Sequence, residues 1–312
     1  MGGTSSEREV SLVSGRNVAA ALAELGKYEV VPVELAEDSL DALPAGVDAA
    51  YIALHGGWGE NGGVQAALNA RKIPYTGPGV LASQIAMDKV KTKMVLEMNA
   101  VPTAAWSIVR SGDGSGCPIA FPVVVKPPKD GSSVGISKCR NPGEYLKGLE
   151  LAWSVDRQSS DRAAGQSDNP PLALVEEFVP GREFTVAVVD GEAWPVVEIV
   201  AKDGWYGYDE KYNSRETRYP FLEDEGQEPP DKRRELARKL QEIAVKAYRA
   251  VGCRSVTRVD FRVSPLGRCY VLELNTSPGF TSHSLVPKAG MKTGLSFAQV
   301  CDRILASADY DR

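Results

Sequence analysis

The sequence predicts an α/β fold whose first domain is a small doubly wound parallel sheet, and three observations carry that prediction. Asp48-Ala49-Ala50-Tyr51-Ile52-Ala53-Leu54 is a nearly continuous apolar run, the pattern of a strand buried on both faces of a parallel sheet. It ends in a glycine-rich loop, His55 to Gly63, and a helical segment follows from Val64, giving the strand–loop–helix order of that architecture. Farther along, two alternating runs flank Ser264-Pro265-Leu266-Gly267, which reads as a β-hairpin with a four-residue loop.

Composition bounds what such a fold does. The 312 residues are 43% hydrophobic and 25% charged, the profile of a soluble globular protein with room for two or three domains. A formal net charge of −5 and the lack of any basic run leave nucleic acid out as an expected partner. No apolar run approaches the roughly 20 residues of a membrane helix, so no membrane partner is expected. The polar start, Met1-Gly2-Gly3-Thr4-Ser5-Ser6, does not read as a signal peptide, and a cytoplasmic location is expected. The five cysteines are scattered without metal-type spacing, as reduced thiols are. With only His55 and His283, a histidine-rich metal site is excluded.

Taken in order, Gly2 to Ser11 is a glycine-rich turn running into a helix whose apolar positions continue through Ala23. Such a turn normally follows a buried strand that delivers it to a ligand, and here that strand is expected to be missing. Glu7 in the first helical turn complements the helix dipole whatever else it does. Tyr28 to Val33 reads as a strand, and Ile73 to Gly77 as a short third one, closing the first domain near Ala86. His55, at the carboxyl end of the parallel strand, is a site candidate.

Met87 to Lys93 opens a second unit on a helix. After Trp106–Val109, Phe121–Lys126 reads as a strand ending in a lysine, then a Gly/Ser loop, then a strand restarting at Val134. Successive N–H groups in such a loop can fold over phosphate, although a plain hairpin connection has the same composition. No GxxxxGK[ST] phosphate loop occurs anywhere. Ser154 to Pro171 is polar and reads as a surface loop. Ala173 to Val186 resumes as two strands around Pro180-Gly181, and Glu176 and Glu183 beside them suit a nucleotide's amino and hydroxyl groups. Either carboxylate taken alone reads as solvent-exposed. The aromatic and charged stretch from Trp205 to Asp224 is long enough to be a functional loop. Asp231–Val251 and Ser296–Ala306 read as amphipathic helices.

In the hairpin, pairing Val263 with Arg268 puts Val259, Phe261, Val263, Tyr270, Leu272 and Leu274 on one face. Arg258, Asp260, Glu273 and Asn275 then gather on the other, with Arg258 set against Glu273. Two carboxylates and an amide oxygen are hard ligands suited to Mg²⁺ that also holds phosphates. A solvated face with an Arg–Glu pair explains the same residues. Asn275 to Leu285 then leaves through a Pro-Gly turn into a hydroxyl-rich segment able to bind a carboxylate.

Together GGTSSEREVS, HGGWGENGGVQ, IPYTGPGVLAS, MDK, VVKPPKDGSSVG, EEFVPGREFTV, YDEKY, RVDF and ELNTSPGFTSHSLVP resemble the D-alanine–D-alanine ligases of the ATP-grasp superfamily, in order and spacing over nearly the whole chain. The resemblance implies an ATP-grasp fold, α+β in its ATP-binding part. Its amino-terminal doubly wound domain (1–86) lacks the usual first strand, and subdomains 87–178 and 179–312 hold ATP between two antiparallel sheets. It implies that the γ-phosphate activates one D-alanine carboxylate for attack by a second D-alanine, supplying peptidoglycan precursors. Asp260, Glu273 and Asn275 would bind two Mg²⁺ (or Mn²⁺). Lys89, Lys126 and Lys211 would contact phosphates, with Ser133 in the loop over the cofactor. Glu176, Glu177, Phe178 and Val179 would take adenine, and Glu183 the ribose. Arg258 would stabilise the tetrahedral oxyanion. Glu7 would anchor the first D-alanine, linked through Ser132 to Tyr212, with His55 near its carboxylate. Ser284, the Leu285 N–H and Gly279 would hold the second. Relatives that make D-alanyl-D-lactate lack the tyrosine at Tyr212, so Tyr212 argues for peptide formation. A homodimer is the family's habit. The His55 loop departs from the family in Gly57-Trp58, where an arginine is common, and in Asn61, where aspartate is usual. The alternatives are another ATP-grasp carboxylate–amine ligase and a catalytically silent nucleotide-binding homologue.

Overall fold

The structure is a computed structural model describing residues 1–114, 116–129, 134–164, 170–201, 217–226, 228–281 and 283–311. Four expected site residues, Ser132, Ser133, Lys211 and Tyr212, lie outside the described residues.

The amino-terminal region is built on α1 (Arg8–Glu24), which buries Leu12, Val18, Ala21 and Leu22. The three expected strands are extended but form no ladder. Among the described residues the second and third meet in one parallel bridge, Ala50 with Tyr75, while Tyr75 also bridges Asp309 antiparallel and Gly2 bridges Leu35 in parallel just beyond the first. The parallel sense is that of a doubly wound sheet; the ladder is lacking because Tyr28–Leu35 finds only Met1–Gly3 as a main-chain neighbour. Three short helices follow: α2 (Gly63–Ala70), α3 (Val80–Met87) and α4 (Lys89–Met98). Asp88 caps α4 by accepting from the N–H groups of Val90 and Lys91, which fixes where the helix and its lysines begin.

Next comes a four-stranded antiparallel sheet made of β1 (Trp106–Arg110), β2 (Val123–Lys126), β3 (Ser137–Cys139) and β4 (Leu172–Glu177), in the order β1-β4-β2-β3. Helix α5 (Pro142–Ala164) covers it, packing Tyr145, Leu149 and Ala152 on Val123, Val125 and Val175. Two expectations fail here. The strand restarts at Ser137 rather than Val134, because Val134 and Gly135 form a turn with Gly135 at φ +73°. The polar stretch from Ser154 is not a loop, since α5 runs on to Ala164. Its polarity is that of a helix surface, while Asp156 turns inward to accept from the Leu172 N–H at 2.9 Å.

A second antiparallel sheet holds β5 (Arg182–Val189), β6 (Glu192–Ala193), β7 (Val197–Ile199), β8 (Val256–Val263) and β9 (Cys269–Asn275). Its order is β6-β5-β8-β9, with β7 also on β5. Strands β4 and β5 therefore enter different sheets, and Phe178–Gly181 is the crossing between them. Gly181 sits at φ +126°, where a Cβ would lie 2.0 Å from the Val263 carbonyl oxygen, so only glycine fits. Helix α6 (Pro230–Val251) packs Leu240, Ala244 and Ala247 against this sheet's core. Helices α7 (Leu285–Lys292) and α8 (Phe297–Ala306) close the chain, α8 against α1.

The hairpin register also differs from expectation. Val263 pairs with Cys269, and a bulge between Asp260 and Phe261 leaves Leu272 as the extra residue. Asp260 thus faces Glu273, and Arg258 faces Asn275. Cys269 and Val271 take the core positions expected of Tyr270 and Leu272.

Candidate active site

On β8 the Arg258 guanidinium grips Asp260 bidentately, Nε to Oδ1 at 2.9 Å and Nη2 to Oδ2 at 2.8 Å. Thr185 Oγ1 on β5 donates to Oδ1 at 2.6 Å, and Asn275 Nδ2 on β9 donates to Oδ2 at 3.0 Å. Asp260 is buried, and the bulged register places the Glu273 carboxylate directly across from it. Like charges opposed on paired strands destabilise a sheet unless a cation neutralises them. The donors are two carboxylates and an amide oxygen, hard ligands that fit Mg²⁺ or Mn²⁺. No cluster of three His, Cys, Asp or Glu side chains that could hold a metal occurs among the described residues.

The other sheet carries the cationic half. Glu176 is buried on β4 between two lysines, with Oε1 3.0 Å from Lys93 and Oε2 2.8 Å from Lys126. Burial alone would raise the Glu176 pKa, but the charges and hydrogen bonds of Lys126 and Lys93 outweigh it and hold the carboxylate ionised. Three buried charges sum to +1, the sign that attracts phosphate. This corrects only the reading of Glu176 as a solvent-exposed carboxylate, since each of its oxygens meets a buried lysine. Glu177 beside it is exposed. Lys93 is the residue that sequence reasoning missed; its signal was the i, i+4 spacing from Lys89 on one helix face. Lys89 itself is buried, and its main-chain N–H donates to Pro128 at the base of the Gly/Ser loop. Phe178 takes Lys138 Nζ at 3.5 Å over its ring and Arg262 at 6.0 Å, one cation from each sheet. Val179 is buried, and Glu183 lies 3.8 Å from Arg262.

His55 is a buried link between the amino-terminal region and the segment after β9. The Ser277 carbonyl can only accept, so the His55 Nδ1–H donates to it at 2.9 Å and Nε2 accepts from the Ser14 hydroxyl at 3.0 Å. Ser14 in turn accepts the Phe280 N–H, and Ser277 Oγ donates to Leu54. Burial lowers the His55 pKa from its ordinary 6.5, so the ring is neutral at pH 7. A lowered folded value means this link's stability is full above pH 6.5 and lost as pH falls through the folded pKa. Melting curves of wild type and His55→Gln should therefore be farthest apart at pH 7.5 and draw together as pH falls below 6.5.

The loop after His55 holds the acidic half of the same site. Gly56, at φ +66°, has Glu7 Oε2 only 2.7 Å from where a Cβ would stand, so the carboxylate lies against the loop backbone. Glu60, which no local sequence pattern marks as a site residue, is half-buried. Its carboxyl is pushed up to about 8 by burial and then by Glu7, with Arg258 and Glu273 also within electrostatic reach. Glu7, Glu60, Arg258 and Glu273 thus share one electrostatic neighbourhood. Ser284 stands at the N-cap position of α7 without a side-chain capping bond; its Oγ instead accepts the Thr281 N–H at 2.9 Å and lies 3.4 Å from a Cβ placed on Gly279. The Leu285 N–H opens that helix, where the dipole favours a carboxylate.

Comparison with known proteins agrees with this geometry. Residues 95–306 match a family model described as "D-ala D-ala ligase C-terminus". The chain is 42% identical over 310 residues to the D-alanine–D-alanine ligase of Syntrophotalea carbinolica, covering 99% of this chain and 94% of that protein. It is 40% identical to the ligase of Geobacter sulfurreducens, covering 99% and 92%. The crystal structure of D-alanine–D-alanine ligase from Bacillus anthracis complexed with ATP superposes with a TM-score of 0.80 at 29% identity, over 98% of this chain and 94% of that one.

A lysine pair under one antiparallel sheet and an oxygen-donor hairpin on another define an ATP-grasp ligase. The chain belongs to the D-alanine–D-alanine ligase family.

Proposed function

We propose that the protein joins two D-alanines into D-alanyl-D-alanine, driven by ATP, as a cytoplasmic homodimer that supplies peptidoglycan synthesis. The observation that carries this reading is the bidentate Arg258–Asp260 pair on the hairpin, with Glu7, Arg258 and Glu273 all within electrostatic reach of Glu60. Domains are assigned as 1–86 for substrate and 87–178 and 179–312 for the nucleotide. Lys126, together with Lys93, Lys89 and Lys211, neutralises the phosphates. The β4 main chain with Glu177, Phe178 and Val179 takes adenine, and Glu183 the ribose. Asp260, Glu273 and Asn275 would hold two Mg²⁺ or Mn²⁺, which supply charge neutralisation at the β- and γ-phosphates. A carboxylate is a poor electrophile until phosphorylated, so the protein's work is positioning, charge neutralisation and exclusion of water.

Glu7 receives the ammonium of the first D-alanine, with Ser132 and Tyr212 completing the link and neutral His55 behind its carboxylate. Ser284, Gly279 and the Leu285 N–H receive the carboxylate of the second. Arg258 faces the oxyanion formed when the second amine attacks, held in place by Asp260. No helix among the described residues is long and apolar enough to cross a membrane.

The test is phosphate release from ATP and Mg²⁺ by purified protein, with and without D-alanine and with L-alanine as control. D-alanine-dependent release, with D-alanyl-D-alanine found by mass spectrometry, is expected. Release indifferent to D-alanine, or none at all, would overturn the assignment.

A further inference from the structure

A charged network ties the amino-terminal region to the second sheet, and none of its residues is assigned to the ligase site. Its centre is Asp311, past the end of α8. Asp311 Oδ2 accepts from the Val80 N–H at 2.8 Å, from Asn69 Nδ2 at 3.1 Å and from the Tyr75 hydroxyl at 3.4 Å. The Asp311 N–H donates to Asn69 Oδ1 at 3.0 Å, and Asp309 and Tyr75 exchange main-chain bonds as an antiparallel bridge. Burial alone would raise the Asp311 pKa, but the Val80 N–H, Asn69 and Arg254 outweigh it and hold the carboxylate ionised. A Cβ on Gly79 would overlap that carboxylate, so the glycine is what lets it reach the first turn of α3.

Arg254 supplies the cationic half. It stands two residues ahead of β8, the strand that carries Arg258 and Asp260. Its Nε lies 3.7 Å from Asp311 Oδ1, and its guanidinium sits over the buried Tyr75 ring, 4.4 Å from the centroid. Its Nη1 donates to the carbonyls of Tyr75 and Gly77, each at 3.1 Å. Residues 75–80 are thus gripped by an anion and a cation along their length. The same loop meets the site. Gly77, at φ +91°, has the Thr276 carbonyl oxygen 3.4 Å from where a Cβ would stand. Thr276 is buried and follows Asn275, and the next residue, Ser277, accepts from His55.

We propose that Arg254 and Asp311 are positioning residues for the ligation. They seat loop 75–80 against Thr276 and so set Glu7 and His55, on the amino-terminal region, against Arg258 and Asn275 on the hairpin. Neither residue touches substrate, and ATP is held by the two antiparallel sheets themselves, so cutting the clasp spares ATP binding and loosens the D-alanine site. The kinetic part of this inference rests on the ligase reading.

The experiment compares wild type with Arg254→Met, Arg254→Lys, Asp311→Ala and Gly79→Ala on the full chain. Arg254→Met and Asp311→Ala are expected to raise the KM for D-alanine about tenfold, with the KM for ATP within about twofold of wild type. They should also release more ADP per dipeptide. Gly79→Ala, which displaces the carboxylate while leaving both charged residues in place, should do the same. Because a single nitrogen makes both carbonyl bonds, Arg254→Lys should recover most of the loss. Amide hydrogen exchange over 276–281 should quicken in Arg254→Met and Gly79→Ala. A lower melting temperature with the two KM values unchanged, or exchange over 276–281 equal to wild type, would overturn the proposal. Should Arg254→Met fail to fold, Gly79→Ala decides. Should wild type make no dipeptide, the ligase reading falls and the exchange comparison still decides whether the clasp seats Thr276.

Discussion

Replacing Glu176 with alanine is expected to destabilise the protein by about 3–5 kcal/mol, the largest stability loss of any single change at the site. The carboxylate is 3% exposed, and the lysines it separates, Lys93 and Lys126, are 2% and 7% exposed. Removing it leaves two ammonium groups close together, without the shared anion and out of reach of bulk water. Lys93 keeps Thr103 Oγ1 at 2.7 Å and the Ala104 carbonyl at 3.3 Å, which is partial compensation. Its pKa, already lowered mainly by burial, would fall further, so some of the penalty is relieved by deprotonation. Urea unfolding of Glu176→Ala should show a lower midpoint with an unchanged slope. Adding Lys93→Met should restore part of the loss, because the stranded charge is then gone. A midpoint within about 0.5 kcal/mol of wild type would mean that the pair contributes nothing net.

What the sequence made legible, and what it did not, follows from the range of the interactions involved. Alternation and turn chemistry are local, so the hairpin at Val256–Asn275 and the polar grouping of Arg258, Asp260, Glu273 and Asn275 were readable directly. The partner of each residue was not, because a bulge at Leu272 shifts the register and changes which side chains face the core. Periodicity placed the helices at Asp231 and Ser296 within a residue of their observed starts. It failed on Ser154–Ala164, where a polar composition hid the continuation of a helix that Tyr145, Leu149 and Ala152 pack onto the sheet and Asp156 ties to Leu172. The Lys93–Glu176–Lys126 triad joins three elements, its lysines 83 and 50 residues before Glu176, and nothing local in the chain announces it. Likewise His55 follows the extended segment 48–54, which forms no ladder, and its two partners, Ser14 and Ser277, come from opposite ends of the sequence.

Changing Arg258 to lysine is expected to lower kcat by about 10²–10³ while leaving the melting temperature within a few degrees of wild type. The two side chains carry the same charge, so the effect isolates geometry. Arg258 meets Asp260 through two parallel bonds at 2.9 and 2.8 Å, which fix the plane of the guanidinium and leave its remaining donors aimed away from the aspartate. A lysine can satisfy Asp260 with one donor but cannot then present a second at a fixed angle to a developing oxyanion. Asp260 keeps Thr185 and Asn275 in either case, so the sheet holds. The expected signature is a fall in kcat with little change in the KM for D-alanine, since the lost interaction belongs to the transition state. A matched rise in KM with kcat preserved would instead make Arg258 a ground-state substrate anchor. A collapse in melting temperature would make the Arg258–Asp260 pair a structural one. Measuring ADP release and dipeptide formation on the same samples separates these outcomes, because ADP released without dipeptide marks an acyl phosphate lost to water.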